Sequence, residues 1–274
     1  MKIGFVCTNY NNAFYTREAV CSLLKNDGYE FRVVVVDNNS DDGNVEALKN
    51  FAKEFQEVEL LLNKDNVGYF RGLNLGIRHL RSSQPDINIM VVGNNDLVFT
   101  ADFADSIRRN LSTFEKYAVV SPDIVTLDGV HQNPHVISKI SKLREFVYDL
   151  HYANYYLAIA IRQLAKLSRR FTERPDQTRH DIAQEIYSGL GACYVLGPVF
   201  FHHFEELWAP TFLMHEEYFL SKQLSEQGLR IYYEPSIKVL HHFQVSMGAL
   251  GDKEAWEAAR DAHKICRRHE KAFG

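Results

Sequence analysis

The chain has 274 residues, 46% of them hydrophobic and 24% charged, with a net charge of −4, the proportions of a soluble globular protein with room for one large domain or two tightly joined halves. The acidic balance argues against nucleic acid as the main partner, and Cys7, Cys21, Cys193 and Cys266 are too scattered for a zinc or redox motif and read as reduced thiols of a cytoplasmic protein. The opening MKIGFVCTNYNN turns polar too early for a secretory signal, and no apolar run reaches the length of a membrane span.

Residues 2–7 are a compact apolar strand, followed by the polar loop Thr8-Asn9-Tyr10-Asn11-Asn12. Apolar residues at Phe14, Ala19, Val20, Leu23 and Leu24 have helical spacing, and residues 31–36 are a second strand that ends in the turn formers DNNSDDG from Asp37 to Gly43. A helix over 45–55, a short strand over 58–62, a polar segment over 63–72 and a helix over 73–80 come next. Then Ile89, Met90, Val91 and Val92 form a buried strand that runs into Gly93, Asn94, Asn95 and Asp96 before apolar residues return at Leu97. Four strands alternating with three helices predict a mostly parallel sheet.

The polar clusters follow the strands, and a parallel sheet brings those carboxyl ends to one edge. Thr8 to Tyr10, Asp37, Asn66 to Arg71 and Asp96 are thus expected around one cleft. The first turn has no GxGxxG and the chain has no GxxxxGK[ST], so a helix amino terminus is not what neutralises phosphates here. A lone carboxylate flanked by amides, Asp96, suits a divalent cation bridging to phosphate, with Arg71 nearby as a further positive charge. Taken alone, NND after a strand reads more readily as an Asx-capped turn.

These segments resemble the family 2 glycosyltransferases of the GT-A fold, in particular a rhamnosyltransferase-like branch. TNYNNAFYTREAVCSLL is similar to the family's opening strand and helix, VVVVDNNSDDGN to its aspartate-bearing second strand, NVGYFRGLNLGI to its N-x-G segment, and GNNDLVF to its metal-binding D-x-D. The resemblance runs from residue 3 to about 248. It implies a nucleotide-sugar donor (a UDP-, dTDP- or GDP-sugar), bound by Thr8, Asn9, Tyr10, Asp37, Asn66, Gly68, Tyr69, Arg71, Gly72 and Asn95. Asp37 would read the base, the segment from Asn66 to Arg71 would close over nucleotide and diphosphate, and Asp96 would hold Mn²⁺ or Mg²⁺. Asn94 stands where the motif has its first acid, so Asp96 is the only anionic ligand this motif offers, and Asn95 is open between ribose and metal.

In the second half, residues 118–125 are another strand, and 139–174 is a long helical stretch mixing basic and aromatic residues. Such a stretch suits an anionic membrane surface or, equally, packing on the domain or on a second copy of the chain. Residues 174–181 read as a loop and candidate lid. Gly189 to Ala192 line a ligand pocket or form a turn before a strand. HEEYFLSKQLSEQGLRI begins a helix with Glu216 and Glu217, acids that the helix dipole favours in a first turn. The line also resembles the family's helix bearing the catalytic base, which implies Glu217 as base and Glu216 as the alternative or an acceptor-orienting group. Short strands over 231–233 and 237–240, around Pro235, lead into HHFQVS, similar to a late H-x-x-x-x-S element. That raises His241, as a metal ligand, above His242, while His202 and His203 have no such context. Residues 252–273 close the chain as a charged helix packing Trp256, Ala259 and Ile265.

The expectation is an α/β protein of GT-A fold in one continuous domain. Residues 1–120 would bind the donor, and 121–274, with a helical insertion at about 139–185, would bind a glycan or lipid-linked glycan acceptor. The implied reaction is inverting sugar transfer in bacterial surface polysaccharide synthesis, without nucleic acid, in the cytoplasm or at the inner face of the membrane, by a monomer or a homo-oligomer. A nucleotidyltransferase would need a basic, glycine-rich first loop, which TNYNNAFYTRE is not. A non-catalytic nucleotide-sugar-binding scaffold is the rival of another class.

Overall fold

The computed structural model describes residues 1–137, 142–167, 178–243 and 252–271. The first half alternates β1 (Lys2–Asn9), α1 (Ala13–Leu24), β2 (Glu30–Asp37), α2 (Asp42–Glu54), β3 (Val58–Leu62), α3 (Tyr69–Ser83) and β4 (Ile89–Asn94). Its strands lie in the order β3-β2-β1-β4 and are parallel throughout. β1 and β2 are covered on both faces, which is why they read as unbroken apolar runs and not as alternations. Val20 and Leu23 of α1, with Leu48 and Phe51 of α2, pack on one face against Phe5, Val33 and Val35. On the other face Leu73, Ile77 and Leu80 of α3 meet Val6, Val34 and Val36. α2 starts where the Asp41 carboxylate accepts from Asn44 N at 2.9 Å, a side-chain cap on an otherwise unpaired amide.

The chain continues through β5 (Leu97–Phe99), α4 (Phe103–Arg109), α5 (Leu111–Lys116), β6 (Val119–Thr126), α6 (Lys142–Ala153), α7 (Tyr155–Leu167), β7 (Gln184–Ile186), β8 (Cys193–Leu196), α8 (Pro198–His203), α9 (Glu216–Glu226), β9 (Ile231–His241) and α10 (Asp252–Lys271). β8 inserts antiparallel between β4 and β6, so both halves share one sheet of order β3-β2-β1-β4-β8-β6-β9-β5, with β7 on β9. Among the nine named strands only β5, β7 and β8 run against the others, leaving the sheet mostly parallel.

Several elements differ from the sequence expectation, each for a local reason. β1 continues through Thr8 and Asn9, because Asn9 pairs with Asp37 at the end of β2. α3 begins at Tyr69, four residues early, since Gly68 turns the chain at φ 91°. The two short strands around Pro235 are one strand, β9; its register against β6 jumps from Pro122↔Glu234 to Asp123↔Lys238, and Pro235 sits in that bulge. The stretch 139–174 holds two helices, α6 and α7. They break at Asn154, whose Oδ1 accepts from Tyr156 N at 2.8 Å. In α10, Trp256, Ala262 and Cys266 are buried, whereas Ala259 and Ile265 are half-buried. The first half of the candidate lid (174–177), both ends of the stretch 139–174, and Ser246 of the late histidine element lie outside the described residues.

Candidate active site

The parallel register sets Asn9 opposite Asp37 and Thr8 opposite Asn94. Around these strand ends a buried polar network closes on itself. Asn9 Nδ2 donates to Asp37 Oδ1 at 2.8 Å, Ser40 Oγ donates to the same oxygen at 2.6 Å, and Ser40 N donates to Asp37 Oδ2 at 3.0 Å. Thr16 Oγ1 donates to Asn9 Oδ1 at 2.8 Å, and Asn95 Nδ2 reaches both Asn9 Oδ1 and Thr16 Oγ1. Asn9, Asp37 and Asn95 are all buried. Their bonds go to the chain and lock three loops together; Thr8 is half-buried and Tyr10, 53% exposed, faces solvent at the same edge.

Asp96 follows β4, and its backbone carbonyl accepts from His242 N at 3.0 Å, which ties the turn to the end of β9. His241, buried, places Nε2 3.2 Å from Asp96 Oδ1 and 3.3 Å from Asn94 Nδ2, while Nδ1 lies 2.8 Å from Gln132 Oε1. With Nδ1–H held by Gln132, Nε2 presents its lone pair towards Asp96, as in ligating histidines whose other ring nitrogen is held by a hydrogen bond. Asp96 Oδ1 is buried and has no hydrogen-bond partner. An orphaned carboxylate oxygen facing an imidazole lone pair is an arrangement that a cation relieves. The donor set, one carboxylate oxygen and one imidazole nitrogen, fits Mn²⁺ or Mg²⁺ with the remaining positions left to substrate and water. Among the described residues no group of three or more acidic, His or Cys side chains could hold a metal unaided.

The amino end of α3 forms a third wall. Asn66 Oδ1 accepts from Gly68 N at 3.0 Å, and Asn38, absent from the sequence expectation, donates to Gly68 O at 3.0 Å while accepting from Asn63 Nδ2. Gly68 has to be glycine twice over: its φ is positive, and a Cβ there would lie 2.1 Å from Phe212 O. A Cβ on Gly72 would come within 2.7 Å of Thr8 Cγ2, so α3 lies directly on the β1 end. Arg71 is not turned to this rim. Its Nε and Nη2 donate at 3.0 Å to Ala209 O and Pro210 O, latching that segment over α3. Arg71 also borders a cavity of about 710 Å³ that includes Arg78, Trp208 and Gln223, but none of Thr8, Asp37, Asp96, Glu217 or His241.

Glu217 enters from α9. Gly191 N donates to Glu217 Oε1 at 3.1 Å, and Tyr69 OH donates to Gly191 O at 2.8 Å. The next residue, Ala192, accepts from Asn94 N through its carbonyl at 2.9 Å. Two consecutive residues therefore join the Asn94–Asp96 turn, the start of α3 and the Glu217 carboxylate. Glu216 differs from its neighbour: it is buried, its Oε1 has no hydrogen-bond partner, and burial, reinforced by the Glu217 charge, pushes its pKa up to about 8. Burial likewise raises Tyr69, with the Glu216 and Glu217 charges adding to it. His215, which precedes the helix in a left-handed conformation, is pushed down by burial.

Gln132 and Asn38 act through partners distant in the chain, His241 and Gly68, so no local pattern marks them, and the exposed rings of Phe212 and Phe243 near Gly68 and His241 carry no sequence signal. His202 and His203 sit at the end of α8, in no contact with these groups that the hydrogen bonds record.

The architecture is that of the GT-A fold. The mannosyltransferase PcManGT from Pyrobaculum calidifontis, solved with GDP-Man and Mn²⁺, is similar with a TM-score of 0.53 at 14% identity, over 88% of this chain and 56% of its own. Residues 1–349 of S. aureus TarS give 0.52 at 13% identity, over 88% of this chain and 60% of its own. GalNAc-T7, solved with UDP, GalNAc and Mn²⁺, gives 0.56 at 12% identity, over 88% and 43%. The chain thus spans less than two thirds of each, and at such identity the likeness carries the fold alone. No curated protein matches the chain. Residues 5–173, more than half of it, match the model of Glycosyl transferase family 2, and the chain belongs to that family.

Proposed function

We propose that the chain is an inverting glycosyltransferase that moves a sugar from a nucleoside diphosphate donor to a hydroxyl of a glycan or lipid-linked glycan. The observation that carries this reading is the junction at Gly191 and Ala192, which holds the Glu217 carboxylate beside the turn bearing Asp96. Family membership and neighbours solved with nucleotide or nucleotide sugar and Mn²⁺ support it. The donor would lie against residues 1–120 and the acceptor against 121–274. Asn94 in place of the motif's first acid is the feature that supports a rhamnosyltransferase-like branch, and polysaccharide synthesis in the cytoplasm is the setting we infer.

Glu217 is the base. Its partner is a single backbone amide, leaving acceptor capacity for a sugar hydroxyl, whereas Glu216, with its raised pKa, is protonated over much of the neutral range and orients instead. As the acceptor oxygen forms its bond to the anomeric carbon, its proton passes to Glu217, and the bond from that carbon to the diphosphate oxygen breaks on the opposite face with the electron pair leaving on the diphosphate. Asp96 and His241 would hold Mn²⁺ or Mg²⁺, which supplies positive charge for the departing diphosphate. Thr8, Tyr10 and the backbone from Asn66 to Tyr69, with Gly72 allowing α3 its close seat on Thr8, form the donor-facing surface. Asn9, Asp37 and Asn95 keep its shape, and Arg71 acts through the segment it latches.

A panel of nucleotide sugars incubated with Mn²⁺, read by released nucleoside diphosphate, tests the proposal. Release dependent on acceptor and metal is expected. Tight binding by calorimetry with no transfer to any acceptor would instead make the chain a nucleotide-sugar-binding scaffold.

A further inference from the structure

The helical hairpin of α6 and α7 carries its acidic residues inward. Asp149 binds Arg267 Nη2 at 2.5 Å and His263 Nε2 at 2.8 Å on α10, and Glu145 lies 3.7 Å from Arg267. Glu145, Asp149 and Tyr152 form one helical stripe, and Trp256 Nε1 donates to His151 O at 3.2 Å beside it. The opposite stripe of α6 is Leu143, Phe146, Val147 and Leu150, at i, i+3, i+4 and i+7. Leu143 is 74% and Phe146 58% exposed, Val147 and Leu150 are 37% and 39% exposed, and on α7 Tyr156 is 79% exposed. An apolar stripe with Leu143 and Phe146 mostly in water is costly to leave uncovered.

The charge composition of this stretch of sequence selects the occupant of that face. Residues 139–174 contain eight Lys and Arg against three Asp and Glu, in a chain whose net charge is −4. Two of the three acids, Glu145 and Asp149, are those turned inward to α10. Lys142 and Arg162 are exposed on the hairpin. A second copy of this acidic chain would answer the apolar stripe; an anionic bilayer answers the stripe and the basic excess together. Exposed Tyr156 on α7 adds a ring suited to the headgroup level. Among the described residues no helix is long and apolar enough to cross a membrane, so the contact would be peripheral. We infer that the hairpin docks the protein on an anionic lipid surface with the stripe of Leu143, Phe146, Val147 and Leu150 at the acyl boundary.

The attachment leads to the catalytic helix. The Tyr152 ring lies 5.9 Å from that of His215, the residue before Glu216, and 4.7 Å from that of His263. The docked surface and the start of α9 therefore belong to one packed unit, which would present the acceptor side of the cleft to a membrane.

Co-sedimentation of the full chain with vesicles tests this without reference to transfer activity, so its failure and that of the enzymatic reading are separate. The protein is expected to bind vesicles of equal parts phosphatidylcholine and phosphatidylglycerol, to ignore phosphatidylcholine alone, and to be released by salt. Phe146→Ser with Leu150→Ser should lower the partition coefficient at least about tenfold, and Lys142→Glu with Arg162→Glu by on the order of tenfold. An unchanged thermal midpoint in the charge-reversal pair shows that lost binding is not lost folding. No binding by the unaltered chain, or equal binding to neutral vesicles, overturns the proposal. So does a dimer that Phe146→Ser with Leu150→Ser converts to monomer while the unaltered chain ignores anionic vesicles, which would assign the face to a second copy.

Discussion

At the ends of β1 and β2 the side chains of Asn9, Thr16, Asp37, Ser40 and Asn95 answer one another in a closed set of hydrogen bonds. At the start of α9, by contrast, Glu216 Oε1 is buried with no partner and Glu217 keeps one backbone amide. The first region is satisfied and therefore rigid before any ligand arrives, because each group would lose a bond by moving. The second retains unmet electrostatic demand, and unmet demand in a cleft is where proton transfer and charge stabilisation are carried out. Shape is thus fixed on the donor side and reactivity is held on the acceptor side.

The sharpest way to break that contrast is Glu217→Gln, which keeps the size of the side chain and removes its basicity. We expect kcat to fall by about 10²–10⁴, the usual contribution of a general base, while Mn²⁺-dependent affinity for the nucleoside diphosphate, measured by calorimetry, stays at the starting value. Full activity in this variant, with loss in Glu216→Gln, would move the base one residue.

The same contrast explains what could be read from the chain alone. The donor side follows from local order: apolar runs ending in Asn and Asp announce β1, β2 and β4, and parallel pairing then forces Asp37, Thr8 and Asn94 to one edge. The membership of those residues in a closed network was not legible, because a buried asparagine and a ligand-facing one have the same letter and the partners, Thr16 and Ser40, lie in other segments. Arg71 shows the limit well. Its position after the N-x-G segment points to the diphosphate, yet two carbonyls from residues more than a hundred positions away capture the guanidinium. On the acceptor side the glutamates were visible, but their division of labour depends on Gly191 and on burial, which no local pattern encodes.

Glu216 offers a second test, read as stability against pH. Its pKa in the folded chain, about 8, stands above the ordinary 4.5, so between those values the unfolded chain has released a proton that the folded chain still holds. Stability contributed by this group is full below about pH 4.5 and declines as pH rises to about 8. Chemical denaturation of Glu216→Gln should remove that decline. The variant gains on the parent as pH rises through this window, by on the order of a few kcal/mol at the alkaline end. Parallel stability profiles for the two proteins would show that Glu216 ionises normally, and the asymmetry between the two regions would then rest on Glu217 alone.

The smallest effect separates scaffold from ligand contact on the donor side. Asn95→Ala removes donors to Asn9 Oδ1 and Thr16 Oγ1, but Asn9 Oδ1 retains its bond from Thr16, so little is left unsatisfied. The cost should be about 1 kcal/mol of unfolding free energy, seen as a lower denaturation midpoint. Because Asn95 is 4% exposed and its amide is spent inside the network, nucleotide affinity measured on the folded variant should match that of the parent. Weaker affinity with unchanged stability would place the Asn95 side chain against ribose or metal, and the donor rim would then bind through the same groups that shape it.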